Sequence, residues 1–92
     1  MSTADASDDG TYPHTLVLSF DYGDERRACL VESAVAVEVG EIDDDRSTAR
    51  VRRDSHVLHV DVFAHDLVAL RAGTNTWIRL VRTAEEVCDL VG

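Results

Sequence analysis

Hydrophobic and polar positions alternate cleanly over "HTLVLSF", His14 to Phe20. Leu16, Leu18 and Phe20 share one side, and Thr15, Val17 and Ser19 share the other, the pattern of a half-buried strand. "DYGD" breaks the alternation, and Asp24 is placed to cap a helix through "ERRACLVESAV". There Ala28, Val31, Ala34 and Val35 fall on one face. The end of this helix is open, because "VAVEV" alternates like a strand, before Gly40 and "EIDDD" read as a loop. Two further strands, "RSTARVRR" and "HVLHVDVFA", flank Asp54-Ser55 as a two-residue hairpin turn. In the second of them Leu58, Val60, Val62 and Ala64 share one face, and Val57, His59, Asp61 and Phe63 the other.

Asp66 then caps a long helix to about Leu90, roughly 37 Å at 1.5 Å per residue. Leu67, Leu70, Thr74, Trp77, Val81, Ala84, Cys88 and Val91 recur along it at alternating spacings of three and four. Such a seam faces a core. The order strand, helix, strand, strand, helix predicts an α+β fold: a single small domain, β-α-β-β-α. Its three-stranded antiparallel sheet has the third strand central and both helices on one face. Residues 14–92 form this domain, and residues 1–13 read as a flexible acidic N-terminal tail.

The far side of the long helix is unusual. At 100° per residue Arg71, Asn75, Arg79 and Arg82 lie within about 80° of arc, with Val68 and Ile78 in or beside them. The chain holds 18 acidic residues against nine basic ones, for a net charge of −9. All nine bases are arginines, and Asp outnumbers Glu 12 to 6. In so acidic a chain a merely solvated face would carry acids. Arginines, an amide and branched apolar residues together look instead like a docking surface for a partner's carboxylates or phosphates. Gly73 costs about 1 kcal/mol in a helix interior, so it signals close approach of a neighbouring helix or a partner.

Charge also bears on habitat and partners. Self-repulsion in a lysine-free, Asp-rich chain is relieved in molar salt, where the Debye length is about 3 Å, which points to a halophilic archaeon and a cytoplasmic location. Free phosphate affinity is opposed by the overall field. No apolar run is long enough to span a membrane, so no membrane association is expected. Cys29 and Cys88 read as thiols in the core. The four histidines lack metal-ligand spacing; His56 and His59, if they share a strand, point to opposite faces. Asp43, Asp44 and Asp45 are a solvated loop run. With no nucleophile motif, phosphate loop or paired metal ligands, the expectation is no catalytic residue, no metal, no cofactor and no enzyme.

The outer sheet face carries Val17, Arg50, Arg52, Val57, His59 and Phe63. It is a candidate dimer surface, since homodimerisation would cover it. It is alternatively a small RNA-binding face with Phe63 as its stacking aromatic.

The pattern Asp66…Leu70-Arg71-Ala72…Asn75-Thr76…Arg79, opening a terminal helix after a hairpin, resembles the small dimerising subunit of the KEOPS complex. This family is also called polarised growth chromatin-associated controller and is related to the CTAG antigens. Arg46-Ser47 and "HTLVLSF" fit it too, and the resemblance spans roughly residues 14 to 90. It implies a non-catalytic scaffold in the machinery that installs threonylcarbamoyl on tRNA adenosine. As a homodimer it would dock the catalytic subunit, and through it the kinase-like subunit, with a contribution to tRNA binding proposed for the family. The motif positions fall on Arg71, Asn75 and Arg79. Gly73 departs from the family's usual alanine and Thr76 from its common serine.

Overall fold

The computed structural model describes residues 12–40 and 46–91. The acidic stretch before Tyr12 and the run Asp43–Asp45 lie outside the described residues. Strand β1 spans His14–Asp21, helix α1 Glu25–Ala36, β2 Ser47–Asp54, β3 Val57–Ala64 and helix α2 Leu67–Val91. The sheet order is β1-β3-β2 with both pairings antiparallel, so the third strand is central, as the connection rules require.

The register explains which residues face the helices. Leu58, Val60 and Val62 of β3 stand beside Phe20, Leu18 and Leu16 of β1 and beside Arg53, Val51 and Ala49 of β2. On that side Val31 and Val35 of α1 and Trp77, Val81, Ala84 and Cys88 of α2 close one core with Leu58, Val60 and Val62. Of the predicted seam of α2, Trp77, Val81, Ala84 and Cys88 are buried in this core, and Leu70 and Thr74 are half-buried. Leu67, at the first turn, is 62% exposed and lines an open cleft beside the edge strand β1. In α1 the buried positions are Ala28, Val31 and Val35, and Ala34 is exposed.

Local chemistry sets the boundaries. Asp24 caps α1 by accepting from the Arg26 N–H at 3.2 Å, and the helix stops at Ala36 with Val37 as its C-cap. Val37 and Val39 are thus turn residues and not a strand. Gly23, at φ 68°, takes the chain out of β1, and its N–H donates to the Asp21 carboxylate at 2.9 Å. That bond, with a second from His56, holds the Asp21 carboxyl below the usual carboxylate range. The hairpin turn falls one residue later than the sequence suggests. Asp54 pairs with Val57, so the turn residues are Ser55 and His56, with Ser55 at φ 59°. His56 consequently sits outside β3, against Asp21 at 2.8 Å, while His59 faces away from the helices. Tyr12, assigned to the tail from sequence, packs its ring 5.1 Å from that of His65.

Gly73 faces neither a helix nor open solvent. A Cβ there would meet Val62 Cγ1 at 3.2 Å and Ser47 Oγ at 3.6 Å, so the glycine lets α2 settle directly on the sheet. An alanine needs only a slight shift of Val62. A leucine cannot be seated, and Gly73→Leu is expected to lower stability by about 1–3 kcal/mol in a denaturant titration.

Candidate functional site

The placement of α2 begins at Asp66. One of its carboxylate oxygens accepts from the Ala69 N–H at 2.8 Å, capping the helix. The other meets the Arg46 guanidinium, and the His65 N–H donates to the Arg46 carbonyl at 2.9 Å. At the far end Tyr22 donates to Glu85 at 2.6 Å and Arg27 bonds Asp89 at 2.5 Å, tying the helix to the start of α1. Burial, and then the bond to Glu85, push the Tyr22 phenol well above its ordinary range. Both ends of α2 are therefore tied to the rest of the domain.

On that face Val68 is 71% exposed, Arg71, Asn75, Arg79 and Arg82 are exposed, and Ile78 is half-buried. Arg71, Arg79 and Arg82 make no ion pair with any other described residue. Most other arginines are engaged: Arg27 with Asp89, Arg46 with Asp66, Arg50 and Arg52 with Asp61, and Arg53 with Glu25 and Glu32. The contrast sharpens the sequence expectation. Acids are abundant, yet among the described residues none lies within ion-pair distance of the stripe's arginines.

Beside the stripe runs a cleft that the sequence did not announce. Leu16 of β1 with Leu67, Leu70, Arg71, Thr74 and Asn75 of α2 lines an open cleft of about 300 Å³. Leu16 points to the helix side of the sheet, but β1 is an edge strand and leaves it 39% exposed. The strand order implied that edge; what could not be read was that α2 would leave a gap beside it. The Thr74 hydroxyl is buried and has no hydrogen-bond partner among the described residues.

The outer sheet face is built differently. Arg52 reaches Asp61 through Nε at 2.9 Å and Nη2 at 3.2 Å, and Arg50 stands 3.4 Å from the same carboxylate. Asp61 itself is only 3% exposed. Ser19 and His59 are joined at 2.8 Å. Val17 remains 48% exposed and Val57 half-buried, while Phe63 is 4% exposed and offers no free ring face for a base to stack on. The structure thus brings Val17, Arg50, Arg52, Val57, His59 and Phe63 to one side of the sheet but ties both arginines to Asp61.

No cluster of metal-binding residues occurs among the described residues. Cys29 and Cys88 are free thiols, with Cys88 buried and Cys29 half-buried. Among the described residues no helix is long and apolar enough to cross a membrane.

A family model described as transcription factor Pcc1 matches residues 15–89. No curated protein matches the chain. Among solved structures, a chain from a crystal structure of the binary complex Gon7–Pcc1 superposes with a TM-score of 0.71. It is 23% identical, and the match covers 86% of this chain and 96% of that one, a likeness of fold.

Proposed function

The chain belongs to the Pcc1 family, and from that premise we propose that it is a non-catalytic scaffold subunit of the KEOPS complex, supporting threonylcarbamoyladenosine modification of tRNA. In this role it is a homodimer working in a salt-rich cytoplasm. It docks the catalytic subunit through the outer face of α2 and links the kinase-like subunit through it. The observation that carries the reading is the stripe of Arg71, Asn75, Arg79 and Arg82, whose arginines have no ion-pair partner among the described residues of a chain with net charge −9. Val68 and Ile78 add apolar contact within it. A rim of unpaired guanidinium groups around apolar side chains suits a protein interface.

Direct nucleic-acid recognition is less well supported. The family description speaks of transcription, but a net charge of −9 opposes a phosphate backbone, and salt screens what attraction remains. The sheet-face alternative has its aromatic buried and its arginines engaged.

The test is charge reversal. Arg71→Glu and Arg79→Glu should each weaken co-purification with the catalytic subunit by about 30-fold or more, in the range of interface hot spots. Their circular dichroism and melting should match wild type, because both side chains are exposed and unpaired. Unchanged assembly in both variants removes α2 as the docking face.

A further inference from the structure

The outer sheet face carries a local charge opposite to that of the chain. Arg50 and Arg52, on the outward side of edge strand β2, converge on the single carboxylate of Asp61, and both side chains stay about half exposed. Arg52 gives Nε and Nη2 to that carboxylate, and its Nη1 makes no bond among the described residues. Two guanidinium groups over one carboxylate make this patch positive among the described residues, on a chain of net charge −9. At one end of the same face Phe63 is 4% exposed, although the register gives it only Thr15 and Thr48 as cross-strand neighbours.

The chain enters β1 beside that end. Tyr12 leans from the edge strand towards the central one, with its ring centroid 5.1 Å from that of His65. His65 continues the outward series Val57, His59, Asp61 and Phe63 by the same two-residue step. Asp9 and Asp8 stand three and four residues before Tyr12, and Asp5 stands seven before it. Arg50 lies level with Asp61 and with Val17, five residues past Tyr12. At about 3.3 Å per residue and 4.8 Å per strand, the Arg50 Cα is roughly 19 Å from that of Tyr12. Four extended residues cover about 13 Å, and the two side chains bridge the rest, so Asp8 reaches Arg50. By the same count Asp5 reaches Arg52.

We infer that the acidic segment before Tyr12 is the occupant of the outer sheet face: it crosses β3 towards β2, and the carboxylates of Asp8 and Asp5 pair with the outward sides of Arg50 and Arg52. The segment closes this face to phosphates and to other copies, and leaves the α2 stripe as the arginine surface offered to partners. Charge complementarity selects carboxylates as the occupying groups. Tethering selects their source. Carboxylates joined to the face by a few residues act at about millimolar effective concentration, above that of a second copy or a partner in dilute solution. In molar salt the attraction reaches only about 3 Å, so groups already held near contact profit most. The α2 stripe is the other place for these acids, but it faces away from the sheet, whereas Tyr12 turns towards the outward series of β3.

The experiment compares methyl and Arg52 Nε–H resonances, at molar salt, in the full chain, in a variant lacking residues 1–11, and in the triple variant Asp5→Asn, Asp8→Asn, Asp9→Asn. None of these changes touches the core, so all three proteins fold. The expected result is that the Val17 methyl and Arg52 Nε–H resonances shift alike in the two variants. Millimolar inorganic phosphate should then move the Arg52 resonance several-fold more in both variants than in the full chain. Unchanged Val17 and Arg52 resonances in either variant, or an equal response to phosphate in all three proteins, overturn the inference. So do shifts confined to Leu67 and Val68, which place the acids at α2. A nitroxide on Ser7→Cys, in a Cys29→Ser background, identifies whose segment it is. Broadening of Val17 is expected in a labelled, isotope-enriched chain diluted into plain chains. Broadening seen only when plain labelled chains are refolded together with isotope-enriched unlabelled ones assigns the face to a second copy and overturns the inference.

Discussion

Trp77→Ala is expected to cost about 3–5 kcal/mol, enough to leave a domain of this size largely unfolded in dilute buffer. The side chain is 2% exposed and belongs to the core formed by Val31, Val35, Leu58, Val60 and Val62. Little around it can collapse to fill the space, since those neighbours are β-branched or anchored on the central strand. Loss of the ring also removes what holds Gly-Thr-Asn-Thr, residues 73–76, in a helix against their weak propensity. The measurement is a denaturant titration at molar salt, where self-repulsion is screened. A loss below about 1.5 kcal/mol would show that packing on Trp77 does not hold α2 to the sheet.

The second large effect concerns Asp61. It is 3% exposed on the central strand, yet the arginines that reach it, Arg50 and Arg52, are about half exposed. The energetics are therefore asymmetric. Replacing Arg50 and Arg52 together with glutamine leaves a buried carboxylate without a counter-charge and should cost about 3–5 kcal/mol. Asp61→Leu instead frees two guanidinium groups that already touch water, and gains apolar burial. It should cost less than about 1 kcal/mol, since apolar replacement of buried charge is often neutral. Equal losses for the two variants would contradict this account. The same asymmetry bears on function: these arginines serve the sheet, which separates them from Arg71, Arg79 and Arg82.

Much of the fold was legible because its signals are local. Period-two alternation marked β1 and β3, Asp24 and Asp66 marked the helix starts, and the three-four seam found Trp77, Val81, Ala84 and Cys88. The sites that differed depend on context that periodicity does not carry. Leu67 continues the seam in sequence but faces the open cleft beside the edge strand β1. Ala34 fits the helical face but the core does not reach it. Val37 and Val39 alternate like a strand, yet they fall in the turn that follows the last residue of α1. Gly73 signalled close approach, but of a neighbouring helix or a partner, whereas Val62 and Ser47 of the sheet are what it meets. The arginine stripe was visible from composition and helical geometry alone. That its charges are unpaired among the described residues, while those of Arg50 and Arg52 are engaged, came only from three-dimensional placement. The cleft at Leu16 was illegible for the same reason, being formed by a strand and a helix that are distant in sequence.

The central claim is that this chain joins catalytic modules and performs no chemistry itself. Light scattering on a mixture of the purified chain and the catalytic subunit, at the host's salt, tests it most directly. The account predicts a two-to-two assembly, one homodimer carrying two catalytic subunits, reduced to free components by Arg71→Glu together with Arg79→Glu. A one-to-one complex, or no complex at any salt concentration, would contradict it.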